Sequence, residues 1–188
     1  MHDLIPITAL GGTTAHVDTI GDTTLTELPD IALASVAARA GQETACGAKL
    51  RDMLGADAPA AGKAVFGDPF SALWIGPDQW MISADFATHE DIAAQVSSRF
   101  GRCASVTEQT DAWVCFDLSG AGVNAVLELL CNINLLQFAA GDSTRTSIHH
   151  LGCLVTCIEP DRLVRIMGPR ASAGSLHHAV TTAMTSVA

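Results

Sequence analysis

The sequence predicts an α+β fold in which helices pack on antiparallel β-sheets. Two observations carry this prediction. Short apolar segments flank tight turns and are followed by a helical stripe, and this strand–turn–strand–helix order occurs twice with a strand–helix unit between. A ferredoxin-like pattern of split β-α-β units is the closest specific match. The two turns have related sequences, Gly76-Pro77-Asp78-Gln79 and Glu159-Pro160-Asp161-Arg162.

Length and composition limit the function classes. The chain has 188 residues, of which 48% are hydrophobic and 16% are charged, so it is predicted to fold around a real core. Its net charge of -10 argues against a nucleic-acid partner. The scarcity of charge indicates a permanent protein partner, since buried interfaces lose charged residues, although an alanine-rich composition would look the same.

The N-terminus and the cysteines together indicate the cellular compartment. Met1-His2-Asp3-Leu4 lacks the layout of a signal peptide, so we expect a cytoplasmic protein whose six cysteines stay reduced. The most apolar run, residues 120–141, contains five polar side chains. It therefore predicts a buried helix and a turn, with no membrane contact.

The N-terminal part, residues 1–70, is predicted to be an arm, a strand and a short helix that pack on a body formed by residues 71–188, giving one compact domain overall. Residues 1–30 are rich in Thr, Gly and Asp and indicate an extended arm with a short strand at 15–20. Large residues at period two indicate a strand over 31–38, and residues 43–54 a helix ended by Gly55. Residues 55–69 are expected to form a loop.

The first part of the body carries clearer patterns. Strands are predicted at 72–75 and 80–84, on either side of the first Pro-Asp turn. The helix that follows has an apolar stripe ending at Phe100, with Thr88 as its N-cap and Asp91 completing a capping box.

The middle and last units of the body follow. Strands are predicted at 103–109 and 113–118, and then a helix capped by Ser119 with apolar residues at i, i+3, i+4 and i+7 spacing, namely Val123, Val126, Leu127 and Leu130. Further strands are predicted at 143–149, 153–158 and 163–167. Gly168-Pro169 is expected to open the last helix, with proline at its first position.

The most tempting cluster for chemistry is His149-His150-x-x-Cys153-x-x-x-Cys157, because imidazole and thiolate are zinc ligands. However, two cysteines four residues apart on a strand lie about 13 Å from each other. One zinc ion cannot bind both, so these cysteines are interpreted as core residues.

No other constellation predicts a site. Ser119-Gly120-Ala121-Gly122 lacks the third glycine of a dinucleotide motif and the lysine of a P-loop. The adjacent His177 and His178 point in different directions on a helix. The remaining candidates are isolated cysteines and core tryptophans, together with arginines that form either a patch or solvated strand edges: Cys46, Cys103, Cys115, Cys131, Trp74, Trp80, Trp113, Arg145, Arg162, Arg165 and Arg170. We therefore predict no catalytic, cofactor-binding or metal-binding residue in this chain.

Two stretches of the body carry a family resemblance. The first is Leu73-Trp74-Ile75-Gly76-Pro77-Asp78-Gln79-Trp80-Met81-Ile82, and the second runs from Leu118-Ser119-Gly120 through a helix to Cys131-Asn132-Ile133-Asn134-Leu135. On these motifs, residues 72–185 resemble the γ subunit of bacterial heterotetrameric sarcosine oxidase, whose corresponding stretches are W-L-G-P-D-E-W-L-L and L-S-G, helix, C-x-x-D-L. Asn134 replaces the expected Asp, and Gln79 replaces Glu.

The resemblance implies a fold like the tetrahydrofolate-binding domain of the glycine-cleavage T-protein. It implies a non-catalytic, structural γ subunit that docks with α, β and δ subunits and holds no cofactor itself. FAD, FMN, NAD, zinc and tetrahydrofolate are expected in those partners. The complex would oxidatively demethylate an N-methyl amino acid to glycine and formaldehyde or methylene-tetrahydrofolate. Two alternatives stay open: a γ-like subunit of N-methylglutamate dehydrogenase, and a stand-alone folate-binding protein similar to aminomethyltransferases.

Overall fold

The computed structural model describes residues 5–188 and contains two antiparallel sheets with four α-helices. The predicted α+β class is confirmed. The four residues on which the expected lack of a targeting signal rests, Met1-His2-Asp3-Leu4, lie outside the described residues.

Groups of strands and single α-helices follow one another along the chain. The strands are β1 (Val17–Ile20), β2 (Thr23–Glu27), β3 (Ile31–Ala38), β4 (Ala64–Val65), β5 (Ser71–Gly76), β6 (Gln79–Asp85), β7 (Ala104–Glu108), β8 (Trp113–Gly120), β9 (Ser143–Ile148), β10 (Leu151–Glu159) and β11 (Leu163–Pro169). The helices are α1 (Glu43–Leu54), α2 (Ile92–Phe100), α3 (Val123–Leu130) and α4 (Ala173–Val187). No helix within residues 5–188 is long and apolar enough to cross a membrane.

The described residues form two compact units. The first unit holds residues 5–29, 112–140 and 144–188. Its six-stranded sheet has the order β1-β2-β8-β11-β10-β9. The second unit holds residues 30–111 and 141–143, with a five-stranded sheet in the order β4-β5-β6-β3-β7. The boundary expected after residue 70 falls inside the second unit, because β3 pairs with both β6 and β7.

The two units repeat one topology. Each has a central strand, β3 or β8, followed by a helix and then by three consecutive strands and a second helix. The last of the three strands pairs antiparallel with the central strand in both units. On the other side of the central strand lies β7 in the second unit and β2 in the first. The internal repeat indicated by the two Pro-Asp turns is therefore a repeat of whole units.

Each sheet buries one face under its own helices. In the first unit, Phe116 and Leu118 of β8 pack with Leu127 of α3 and with Leu176 and Val180 of α4. In the second unit the core joins β3 and β6 to α1 and α2 in the same way. The i, i+4 stripes of the helices and the alternation of the strands produce both cores.

Three predictions about element ends are wrong. Thr88 does not cap α2: its hydroxyl lies 2.8 Å from Nδ1 of His89, and the helix begins four residues later. Ser119 lies in β8, and its hydroxyl donates to the carbonyl of Thr24 at 3.4 Å, so it does not cap α3. Pro169 closes β11 and does not open α4, because its backbone is extended and a strand end tolerates a residue without an N–H.

Candidate functional site

An open groove of about 610 Å³ lies in the first unit beside α3. The groove is lined by Asn124 and Glu128 of α3 and by the segment 133–139 that follows the helix. Pro160 and Asp161 of the turn between β10 and β11 complete the lining. There the amide of Asn124 donates to a carboxylate oxygen of Asp161 at 2.6 Å, which links helix and turn. Asp161 has a φ of 61°, a conformation that Asp tolerates better than most residues.

The segment after α3 presents leucine to solvent. Its inner side is anchored, because Ile133, Leu135 and Phe138 pack against the core of the unit and the carbonyl of Phe138 accepts the S–H of Cys157 at 3.6 Å. Its outer side carries Leu136, which is 98% exposed. Leu129, at the end of α3, is 60% exposed. We call Leu129, Leu136 and the groove that Leu136 lines the leucine surface.

The structure separates the residues of the His149-His150-x-x-Cys153-x-x-x-Cys157 motif. His149 and His150 form the β9–β10 turn, with φ values of 47° and 67°, and are exposed. Cys153 and Cys157 lie on β10 and are buried. Burial raises the pKa of the Cys153 thiol to about 11, which disfavours the thiolate form that binds a metal.

Burial has the same effect on the pKa values of three further cysteines. Burial raises the pKa of Cys115 in β8 to about 12. Burial, with the neighbouring Cys103, raises the pKa of Cys46 to about 11. Cys131 is only half-buried, and desolvation still raises its pKa. A nucleophilic thiol needs the opposite environment, one that stabilises the thiolate.

Two of the four arginines considered as a patch make contacts within their own unit. Arg165 in β11 forms a two-bonded ion pair with Asp117 in β8, with distances of 2.8 and 2.9 Å. Burial by itself lowers the pKa of Arg165, but the hydrogen bonds and charge of Asp117 outweigh it and raise that pKa. Arg170 donates to the carbonyl of Ile7 at 3.0 Å. Arg145 and Arg162 are exposed.

The Gly-rich turn and the tryptophans have structural roles. Gly120 has a φ of 117°, and a Cβ there would lie 2.0 Å from the carbonyl oxygen of Asp22, so only glycine allows β2 to approach β8 this closely. Trp80 is buried and donates its indole N–H to the carbonyl of Pro59 at 3.0 Å. Trp74 and Trp113 are partly buried.

One cluster was missed by sequence reasoning. His16, Asp18 and His177 place their side-chain nitrogen and oxygen atoms within 4.8 Å of one another. The sequence contains one usable signal: His16 and Asp18 are two residues apart within the strand predicted at 15–20, which puts both side chains on one face. Nothing in the sequence indicates that His177, 159 residues after Asp18, lies against that face.

Comparison with protein-family models and with curated proteins gives no match. Solved structures do match. A chain of the heterotetrameric sarcosine oxidase from Corynebacterium sp. U-96 superimposes with a TM-score of 0.75 and 22% identity, over 88% of this chain and 85% of that one. The glycine cleavage system aminomethyltransferase T from Bartonella henselae superimposes with a TM-score of 0.61 and 14% identity. The match covers 86% of this chain, which spans about half of the aminomethyltransferase, 46% of its length. The resemblance drawn from the sequence is thus confirmed as one of fold: the chain is similar to a chain of heterotetrameric sarcosine oxidase and to part of the T-protein.

Proposed function

We propose that this chain is the γ-type, non-catalytic subunit of a heterotetrameric flavin-dependent oxidoreductase that demethylates sarcosine. The observation that carries the proposal is the superposition on a chain of heterotetrameric sarcosine oxidase, which covers 88% of this chain and 85% of that one. A match that spans both chains nearly end to end supports an equivalent subunit. A shared supersecondary motif would cover a smaller part of each chain.

The chemistry of the described residues agrees with a structural role. The thiols of Cys46, Cys115 and Cys153 have raised pKa values, and the two-bonded arginine in the sheet is paired with Asp117. The hard chemistry of amine oxidation belongs to a flavin. FAD, FMN, NAD, zinc and tetrahydrofolate are accordingly assigned to the partner subunits α, β and δ.

The leucine surface is the proposed contact with a partner subunit. A side chain that is 98% exposed, as Leu136 is, leaves its whole apolar area in water. Burying it against a partner is favourable, and interface cores are depleted of charge, as this part of the chain is. The adjacent groove offers a concave seat for a partner side chain.

Co-purification tests the assignment. The full chain, tagged in its native source, is expected to elute with three other chains and with flavin absorbance near ~450 nm. The eluate should oxidise sarcosine. Faster oxidation of N-methylglutamate would identify the dehydrogenase alternative. A single colourless chain without amine-oxidising activity would refute the subunit assignment.

The similarity to aminomethyltransferase T favours one second candidate, a protein that binds a folate by itself. The chain spans about half of that enzyme, so any site that needs the other half is missing. Titration of the isolated chain with tetrahydrofolate, followed by tryptophan fluorescence, decides the question. Saturable binding would support this candidate, and no change in fluorescence or melting temperature would remove it.

A further inference from the structure

Two imidazoles and one carboxylate converge on a single point of the first unit. Nε2 of His177 lies 2.6 Å from Oδ2 of Asp18, and Nε2 of His16 lies 3.1 Å from the same oxygen. The two imidazole rings meet edge to face, with centroids 5.0 Å apart. Both rings therefore present the same kind of nitrogen to one carboxylate oxygen.

The fold holds these three groups in place. Asp18 lies on β1 directly opposite Leu25 of β2, so its side chain is on the same face as that buried leucine. His16, two residues earlier, shares this face. The helix α4 packs on β1 and β2 from that side and brings His177 to the pair.

A buried carboxylate fixes the backbone that carries His16. Glu27 of β2 is 2% exposed, and its two oxygens accept the backbone N–H groups of His16 at 3.1 Å and of Leu10 at 3.0 Å. Its own N–H donates to the carbonyl of His16 at 2.8 Å. The position of His16 is thus built into the sheet edge, since both its N–H and its carbonyl are held by one buried residue.

The spacing suits a metal ion. Zinc binds imidazole nitrogen and carboxylate oxygen at about 2.0–2.2 Å, so neighbouring ligands of a tetrahedral site are about 3.4 Å apart. The two Nε2–Oδ2 separations are 2.6 and 3.1 Å, so each nitrogen must move away from the carboxylate oxygen by less than about 1 Å to reach that value. The side chains of His16, Asp18 and His177 are 51%, 31% and 22% exposed, so water can reach the remaining coordination position.

We propose that His16, Asp18 and His177 bind a divalent transition-metal ion of the zinc class, which ties β1 to α4 and keeps one position open to water. Two nitrogen donors and one oxygen donor suit such ions, whereas Ca²⁺ and Mg²⁺ prefer oxygen alone. The proposal departs from the expectation that the chain holds no metal ligand. It does not depend on the proposed function.

The test uses the full chain without a histidine tag, freed of metal by a chelator. Zn²⁺ is titrated by calorimetry, and the melting temperature is measured with and without one equivalent. Co²⁺ then serves as a spectroscopic probe, because its visible absorption reports tetrahedral nitrogen and oxygen ligands. The variants Asp18→Asn and His177→Gln remove one ligand each at nearly constant size. The matched controls are His178→Gln, next to the site on α4, and His150→Gln in the exposed β9–β10 turn.

We expect one equivalent of Zn²⁺ to bind the wild-type chain and both control variants, with a rise in melting temperature. Loss of even an outer partner lowers metal affinity about 10- to 100-fold, so each ligand variant should lose at least that factor and the Co²⁺ absorption. Circular dichroism of the metal-free variants shows whether they remain folded. Absence of stoichiometric binding, or binding unchanged in folded Asp18→Asn and His177→Gln, would overturn the proposal and leave a hydrogen-bonded His-Asp-His cluster.

Discussion

Replacing Leu136 with glutamate tests the leucine surface without disturbing the fold. The side chain is 98% exposed in the chain alone, so Leu136→Glu should change the free energy of unfolding by less than about 0.5 kcal/mol. In a complex the same leucine would be buried. Burial of a leucine contributes about 1.5–3 kcal/mol, and the substitution also places a charge in the contact.

That free energy corresponds to a loss of about 10- to 100-fold in affinity for the partner subunit. The assay compares the yield of flavin-containing complex from wild-type and Leu136→Glu chains expressed in the native source. Phe66→Glu is the control, because Phe66 is 47% exposed but belongs to the second unit. Urea unfolding of each isolated chain checks that stability is unchanged.

The outcomes separate two claims. An undiminished yield of complex with Leu136→Glu would refute the leucine surface as the contact and leave the subunit assignment standing. Absence of partner chains with the wild type would refute the subunit assignment itself. An equal loss with Phe66→Glu would show that exposed apolar side chains matter without regard to place.

Three further predictions concern stability. Gly120→Ala should lower the free energy of unfolding by more than about 2 kcal/mol, because the new Cβ would lie 2.0 Å from a carbonyl oxygen. The control Gly152→Ala has open space around the new Cβ and should change that free energy by less than about 1 kcal/mol. Urea unfolding measures both changes. A double-mutant cycle of Asp117→Ala and Arg165→Ala should give a coupling of about 1–2 kcal/mol, since the pair is two-bonded and partly buried, and a coupling near zero would contradict this. Folding raises the pKa of Cys115 from 9.0 to about 12. The free energy of unfolding should therefore fall as the pH rises between those values, by up to about 1.4 kcal/mol per pH unit. The same pH titration of Cys115→Ala should show a less steep fall.

Local patterns predicted most of the elements because the cause of each element is local. The period-two residues of 31–38 coincide with β3 over its whole length, and α1 ends before Gly55, which has a left-handed backbone. The caps failed for a different reason. A side chain such as Thr88 or Ser119 can bond to several nearby groups, and tertiary position decides which one it reaches.

The candidate sites depend on contacts that no local pattern contains. Leu129 and Leu136 of the leucine surface lie in the run 120–141, where the sequence correctly indicated a helix and a turn. The side of the turn that faces solvent depends on the anchoring of Phe138 to the core. An apolar run predicts burial on average and does not say which residues the core reaches.

The repeat of topology explains where the His-Asp-His cluster arises. In the second unit, α2 leads through the chain directly to β7, which fills the place beside the central strand β3. In the first unit the corresponding place beside β8 is filled by β2, which comes from an N-terminal hairpin far from α4 in sequence. No short stretch of chain therefore connects α4 to the β1–β2 hairpin, and the contact between them depends on side chains. His177 contacts Asp18 of that hairpin at this join, so a metal ion there would supply a link that the second unit obtains from its backbone.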